Sequence, residues 1–231
     1  MVNSEPDLAT IAALISEPSR ASILSALMGG EALPASELAY RSQITPQTAS
    51  SHLAKLVDGN LIEVAKIGRH RYYSLKNEDV AKIIESLQVI APEQKSIVKA
   101  NPKVPQKLRY VRTCYDHLAG KLGVSVTQSL LEDGYLSEAE DAYLLTTNGE
   151  KLMETWQIDI AELQKKRRKF AYPCLDWSER RFHIAGSLGA AIKNVFFENE
   201  WVKHVPHSRA LLVTKKGERI LKENFNITLA K

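Results

Sequence analysis

The sequence predicts a mainly α chain with small β wings, divided into an amino-terminal and a carboxy-terminal domain. Three observations predict it. A polar-faced helical segment opens at Thr45-Pro46 and runs into two short strand-like stretches around a cationic turn. A proline- and lysine-bearing stretch at 91–106 separates two parts of different pattern. Beyond it, a segment beginning at His117 returns, 66 residues later, at His183.

The elements follow in order. Residues 1–7 read as a loose arm, and Leu8, Ile11, Ala12 and Ile15 form a helical stripe up to Ser16. Pro18 opens a second helix, with Ser16 as its expected cap, running to Met28 before Gly29-Gly30. A short helix, Ala35 to Tyr40, breaks over Arg41 to Ile44. Thr45 stands where an N-cap belongs, and Pro46 takes the first helical position, which needs no N–H. This helix runs to about Val57. Ala49, Leu53 and Leu56 form its apolar stripe, and Gln47, Thr48, Ser51, His52 and Lys55 form the opposite face. Asp58-Gly59-Asn60 is a left-handed-tolerant ending. Leu61 to Lys66 and Arg71 to Leu75 read as strands around Ile67-Gly68-Arg69-His70. Asn77 caps a helix from Glu78 to about Ile90, with Val80, Ile83, Ile84 and Leu87 on one face.

This order is a helix-turn-helix followed by a β-hairpin wing, spanning residues 1–90. Short polar side chains with little net charge suit base-edge reading. Gln47, Thr48, Ser51 and His52 are therefore expected to approach bases of double-stranded DNA. Thr45, Lys55, Arg69, His70 and Arg71 are expected on phosphates or the minor groove.

Residues 8–87 resemble the ArsR-type winged-helix repressors. The residues that carry the resemblance are Glu17-Pro18-Ser19-Arg20 with Ile23-Leu24, Leu38-Ala39, Gln47-Thr48-Ala49-Ser50-Ser51-His52-Leu53, and Leu61 to Leu75. The resemblance implies a homodimer on a pseudo-palindromic operator, joined through the first helix and the helix after the wing, with repression relieved by an effector. Many members of that family sense metal through a Cys-x-Cys in the first helix of the motif. Here that helix reads Glu37-Leu38-Ala39-Tyr40. Others use Asp and His on the helix after the wing, and Asp79 to Leu87 holds no histidine. Both familiar metal sites are missing from the sequence.

Composition is that of a globular chain: 231 residues, 44% hydrophobic, 25% charged, net charge +4. A first domain of this size leaves ample chain for a second core. No apolar run reaches membrane-spanning length, no membrane partner is expected, and the first residues do not read as a secretory leader. Two cysteines make no disulfide framework, so a cytoplasmic, reducing location is the expectation.

The second domain, 107–231 beyond the linker 91–106, carries two related segments, about 107–160 and 174–227. Each reads as helix, small-residue turn, helix, strand, loop, strand, helix, with Thr146 and Thr214 as caps before Glu150 and Glu218. That order is a degenerate winged-helix-like repeat, and two in tandem pack most simply about a pseudo-two-fold axis. The second helix of one copy shows Ser125, Thr127, Gln128 and Ser129, and that of the other Lys193 and Asn194 but also Phe196-Phe197. Neither wing has a strongly basic tip, so a ligand-binding or dimerising domain is expected over further DNA contacts.

Both cysteines lie at equivalent approaches to the repeats. Cys114 and His117 are expected on one helix face, and Cys174 precedes His183. Three readings stay open. The four are structural; or, with Trp177 and Arg180, they line a pocket for an organic effector; or they form a metal site or a redox sensor. A candidate helix from Trp156 to Phe170 ends in the run Lys165 to Lys169. The function read from all this is a sequence-specific DNA-binding transcriptional regulator, not an enzyme, repressing until a small-molecule, metal or redox effector binds the second domain. An enzyme using Cys/His chemistry fused to a DNA-binding module is the alternative, as is an effector-free architectural binder.

Overall fold

The computed structural model describes residues 6–92 and 103–228. The chain forms two compact units, one ending at Ile84 and one starting at Glu85. Most of the expected linker 91–106, and most of the arm 1–7, lie outside the described residues.

The first unit starts with α1 (Leu8–Ile15), α2 (Pro18–Leu27), β1 (Leu33–Pro34), α3 (Ala35–Ser42) and α4 (Pro46–Asp58). It continues with β2 (Ile62–Ile67), β3 (His70–Leu75) and the start of α5 (Glu78–Ile90). The cap of α2 is Glu17, not Ser16: its carboxylate accepts the backbone N–H of Ser19 and Arg20. Ser16 stays in right-handed helical geometry as the end of α1, so it cannot take the extended conformation a cap requires. Arg20 then donates to the carbonyls of Ala13 and Leu14, closing the end of α1. Thr45 caps α4 as expected, accepting from the Thr48 N–H. Gly59 allows a close approach: a Cβ there would stand 2.1 Å from the Leu14 side chain. The left-handed residue of that ending is Asn60, with φ 57°.

The wing has a third strand that local pattern did not suggest. β1 pairs antiparallel with β3 through Leu33↔Tyr73 and Pro34↔Tyr72, giving the order β1-β3-β2. The tip is a two-residue turn, Gly68-Arg69, with Gly68 at φ 58°, where glycine carries no steric penalty. Ile23, Leu24, Leu27, Leu38, Ala49, Leu53, Leu56, Ile62 and Leu75 close the core beneath it.

The second unit runs α6 (Lys103–Tyr110), β4 (Arg112–Cys114), β5 (His117–Ala119), α7 (Gly120–Glu132), β6 (Leu136–Ala139), β7 (Ala142–Leu145) and α8 (Thr147–Thr155). It continues α9 (Ile160–Gln164), β8 (Tyr172–Leu175), β9 (Phe182–Ala185), α10 (Gly186–Glu198), β10 (Val202–His204), β11 (Leu211–Val213) and α11 (Lys215–Phe225). Helix, hairpin, helix, hairpin, helix thus occurs twice. Two sequence expectations are corrected. The cysteine–histidine segments ahead of α7 and α10 are β-hairpins, not helices. The helix expected from Trp156 to Phe170 is only α9: Gln157 turns left-handed at φ 57°, and Asp159 caps a fresh start by accepting from the Glu162 N–H. The run Lys165 to Lys169 therefore follows a short helix and lies outside regular structure.

The two halves of this unit are cross-seated. Helix α7 packs on β9 and α10 on β5. The Ile184 N–H donates to the Thr127 hydroxyl, and Leu211 N–H donates to the Val111 carbonyl. Gly123 and Gly189 let each helix lie close on the hairpin that precedes it while it touches the other half's histidine. A Cβ on Gly123 would stand 2.4 Å from the Leu118 carbonyl oxygen and 3.5 Å from His183 Cβ, and one on Gly189 2.6 Å from the Ile184 oxygen and 3.3 Å from His117 Cβ. One shared core, including Leu122, Leu130, Leu188, Phe196 and Leu221, fills the interior.

Candidate nucleic-acid interface and a buried Cys–His cluster

In the first unit, Thr45, Gln47, Thr48, Ser51 and Lys55 are exposed at the start and on one side of α4, opposite buried Ala49, Leu53 and Leu56. The Thr45 and Thr48 hydroxyls lie 2.9 Å apart, which fixes the first turn. Arg69, His70 and Arg71 are exposed at the wing tip. His52 is set apart from this face. Its side chain is 14% exposed, with Nε2 3.6 Å from the Glu17 carboxylate and Nδ1 3.5 Å from Arg20. The residues that cap α2 and close α1 thus also hold the recognition-type helix. Sequence spacing could not separate His52 from Ser51, since both fall off the apolar stripe.

In the second unit, the two hairpins bring Cys114, His117, Cys174 and His183 together: one ligand atom from each lies within 4.8 Å of the others. Cys114 is directly opposite His117 in the β4–β5 register, and Cys174 is opposite His183 in β8–β9. Both cysteines are free thiols. Cys114 and both histidines are buried, and Cys174 is half-buried. The two Nε2 atoms are 3.1 Å apart. Each ring turns its other nitrogen to a carboxylate: His117 Nδ1 to Asp116 at 3.4 Å, and His183 Nδ1 to Asp176 at 3.3 Å.

Those carboxylates are themselves held. Asp116 pairs with Arg168, from the cationic run. Burial works against its charge, yet the bonds from His117 and Arg168 prevail and hold its pKa at about 2. Asp176 is fully buried; it accepts from Arg112 at 2.8 Å, from the Gly120 N–H at 2.7 Å, and from the Ser178 N–H and hydroxyl. Burial is again outweighed, here by His183 and Arg112, and its carboxyl stays well below the usual carboxylate range. Burial opposes a charged His183, but the bond to Asp176 raises its pKa to about 9. The hydrogen bond with Cys174 and burial push the Cys114 thiol well up. Its S–H donates to Glu85 Oε2 at 3.1 Å.

Of the remaining expected effector residues, Trp177 lies over the Arg112 guanidinium at 4.5 Å, and Arg180 is exposed in the turn before β9. Neither belongs to the cluster of four. Arg112, Asp116 and Asp176 were missed at the level of sequence. Their only signal was closeness to Cys114, His117 and Cys174. Thr127 and Ser129 are buried and bonded internally, which takes them away from any DNA-facing surface. A separate groove of about 630 Å³, lined by Trp156, Asp159, Asn194 and Glu198 among others, shares no residue with the cluster.

A capped, polar-faced helix after a tight turn, flanked by a hairpin with a cationic tip, defines a winged helix-turn-helix protein. A helix-turn-helix domain model matches residues 15–65. YdfF of Bacillus subtilis (strain 168), described as an uncharacterized HTH-type transcriptional regulator, is 44% identical over 224 residues, 97% of this chain and 99% of that protein. The arsenical resistance operon repressor of Staphylococcus aureus is 34% identical over 100 residues, 43% of this chain and 95% of the repressor. Among solved structures, the homodimeric winged helix-turn-helix DNA-binding domain of Mb0332 from Mycobacterium bovis is 25% identical, covering 39% of this chain and 89% of its own, with a TM-score of 0.35. The chain belongs to the ArsR-type helix-turn-helix transcriptional regulators. No helix among the described residues is long and apolar enough to cross a membrane.

Proposed function

We propose that the chain is a homodimeric, cytoplasmic, sequence-specific repressor whose hold on operator DNA is released by an effector bound in the second unit. One observation carries the reading: Gln47, Thr48 and Ser51 are exposed on α4 beside an exposed Arg69-His70-Arg71 tip, while the other side of α4 is fully packed. Gln47, Thr48 and Ser51 meet base edges. Thr45, Lys55, Arg69, His70 and Arg71 meet phosphate or the minor groove. His52 holds α4 through Glu17 and Arg20 rather than reading bases. Leu8, Ile83, Leu87 and Ile90 are large exposed apolar side chains on the two helices that the family uses for dimer contact. Their burial against a second copy sets the spacing of the two recognition helices.

The second unit is a pair of degenerate winged-helix-like repeats that senses the effector and does no chemistry of its own. A buried Cys114 thiol with a raised pKa is a poor nucleophile, which disfavours the enzyme reading. Moving the dimer from mostly bound to mostly released takes about 5.5 kcal/mol of differential effector affinity between the two states. The test is selection of duplexes from a random-sequence pool by the full chain, followed by anisotropy on the enriched sequence. Enrichment of a two-fold-related site is expected. A pool that stays unenriched, with DNA binding insensitive to Gln47→Ala, overturns the reading.

A further inference from the structure

We propose that Cys114, His117, Cys174 and His183 bind one zinc-class divalent ion, through two thiolates and two imidazole Nε2 atoms. The inference is independent of whether the chain regulates operators. It also lies outside both metal positions of the family, since neither α3 nor α5 contains a cysteine or histidine.

The distances fit. Zinc–sulfur and zinc–nitrogen bonds of ordinary length put tetrahedral ligand atoms about 3.3–3.8 Å apart. The four donors already lie within 4.8 Å, and the two Nε2 atoms at 3.1 Å. Closing on an ion requires only about an ångström of contraction, within reach of side-chain rotation.

The histidine pair suits a cation. Asp116 and Asp176 stand behind the two Nδ1 atoms at 3.4 and 3.3 Å, and rings protonated at Nδ1 alone would turn both Nε2 lone pairs to one point. Two lone pairs at that separation repel unless a proton or a metal stands between them. A carboxylate behind each ligating imidazole is the arrangement that fixes the tautomer and raises ligand basicity in metal sites.

The charge closes as well. Binding a divalent ion takes one proton from each of Cys114 and Cys174, together with any proton shared by the histidines, and releases them to solvent. Two thiolates neutralise the ion, so the buried site gains no net charge. Glu85 loses the Cys114 S–H donor but keeps Arg112 at 3.8 Å. Two sulfurs and two imidazoles select zinc-class ions over magnesium or calcium, which prefer oxygen. Four protein ligands leave no open position, so the site holds the two hairpins together and does not activate water.

The experiment uses reduced, metal-stripped, DNA-free full chain titrated with Co²⁺, with elemental analysis of the protein as purified. Saturation at one equivalent is expected, with thiolate-to-cobalt charge-transfer bands and intense tetrahedral d–d bands that Zn²⁺ abolishes. Cys174→Ser, at the half-buried ligand, should weaken the charge-transfer bands. Asp116→Asn should lower affinity about 10–100-fold with unchanged far-UV circular dichroism. Absence of a tetrahedral spectrum in the wild type, or the full spectrum persisting in Cys174→Ser, overturns the proposal. A tetrahedral spectrum from a chain that selects no operator leaves this site standing and removes only the regulatory reading.

Discussion

Gly189→Ala is predicted to push α10 off β9, the strand that leads into it, and to press on His117 of the other half. The added Cβ would stand 2.6 Å from the Ile184 carbonyl oxygen, whereas ordinary contact starts at 3.4 Å, so α10 must withdraw from β9 by about 0.8 Å. The obstacle is backbone and cannot swing aside as a side-chain end would. Overpacking of this kind costs about 1–3 kcal/mol, and a backbone clash belongs at the upper end. Alanine recovers roughly 1 kcal/mol through helix propensity, leaving a net loss of about 2 kcal/mol. Gly134→Ala is the control. It sits at φ 69° with nothing within 4 Å, so it pays only the left-handed backbone penalty of about 1–2 kcal/mol. The smaller conformational entropy of the unfolded alanine chain reduces that by about 0.4–1 kcal/mol. Urea unfolding followed by tryptophan fluorescence reads this directly, because Trp156, Trp177 and Trp201 all belong to the second unit. A Gly189→Ala protein within about 0.5 kcal/mol of wild type, or one more stable than Gly134→Ala, refutes the close seating of α10 on β9.

Further outcomes are expected elsewhere. Thr45→Ala removes the α4 cap and should cost about 1 kcal/mol of first-unit stability, read by far-UV circular dichroism. Gln47→Ala should weaken selected-site binding by roughly 1–3 kcal/mol with an unchanged salt slope, whereas Arg71→Ala should weaken all duplexes alike and lower the slope by about 0.9. Asp116 is held at about 2 against an ordinary 3.8, so its stabilisation is complete above the ordinary value and lost as pH falls from there toward 2. Arg168→Ala should therefore flatten the acid limb of the stability–pH curve, and an unchanged limb would show that this pair does not matter.

What could be read from sequence was local. The Thr45-Pro46 entry, the Asn77 cap and the Thr146 and Thr214 caps each depend on residues within a few positions, and each is present. The pairing of Leu33-Pro34 with Tyr72-Tyr73 depends on a contact across almost forty residues and left no local mark. The Cys114 hairpin was hidden for a different reason. Its turn places Tyr115 at φ 53°, where sequences usually spend a glycine or asparagine, so the segment read as helix. The matched spacing of the cysteines and histidines nevertheless grouped four residues that lie together in the structure, because it follows the relation between the halves and not the local conformation. His52 shows the opposite limit: which edge of a polar face turns inward depends on Glu17 and Arg20, two helices earlier.

The cross-seating has a consequence for how the second unit assembles. Each of α7 and α10 packs on the other half's hairpin as well as on the one that precedes it, so each half draws part of its support from the other. Nicked between α8 and β8, the polypeptide would yield fragments that reconstitute as a pair and are less stable alone. An ion gripped by one cysteine and one histidine from each fragment would serve as the bolt between them, tightening reassociation wherever that metal is present.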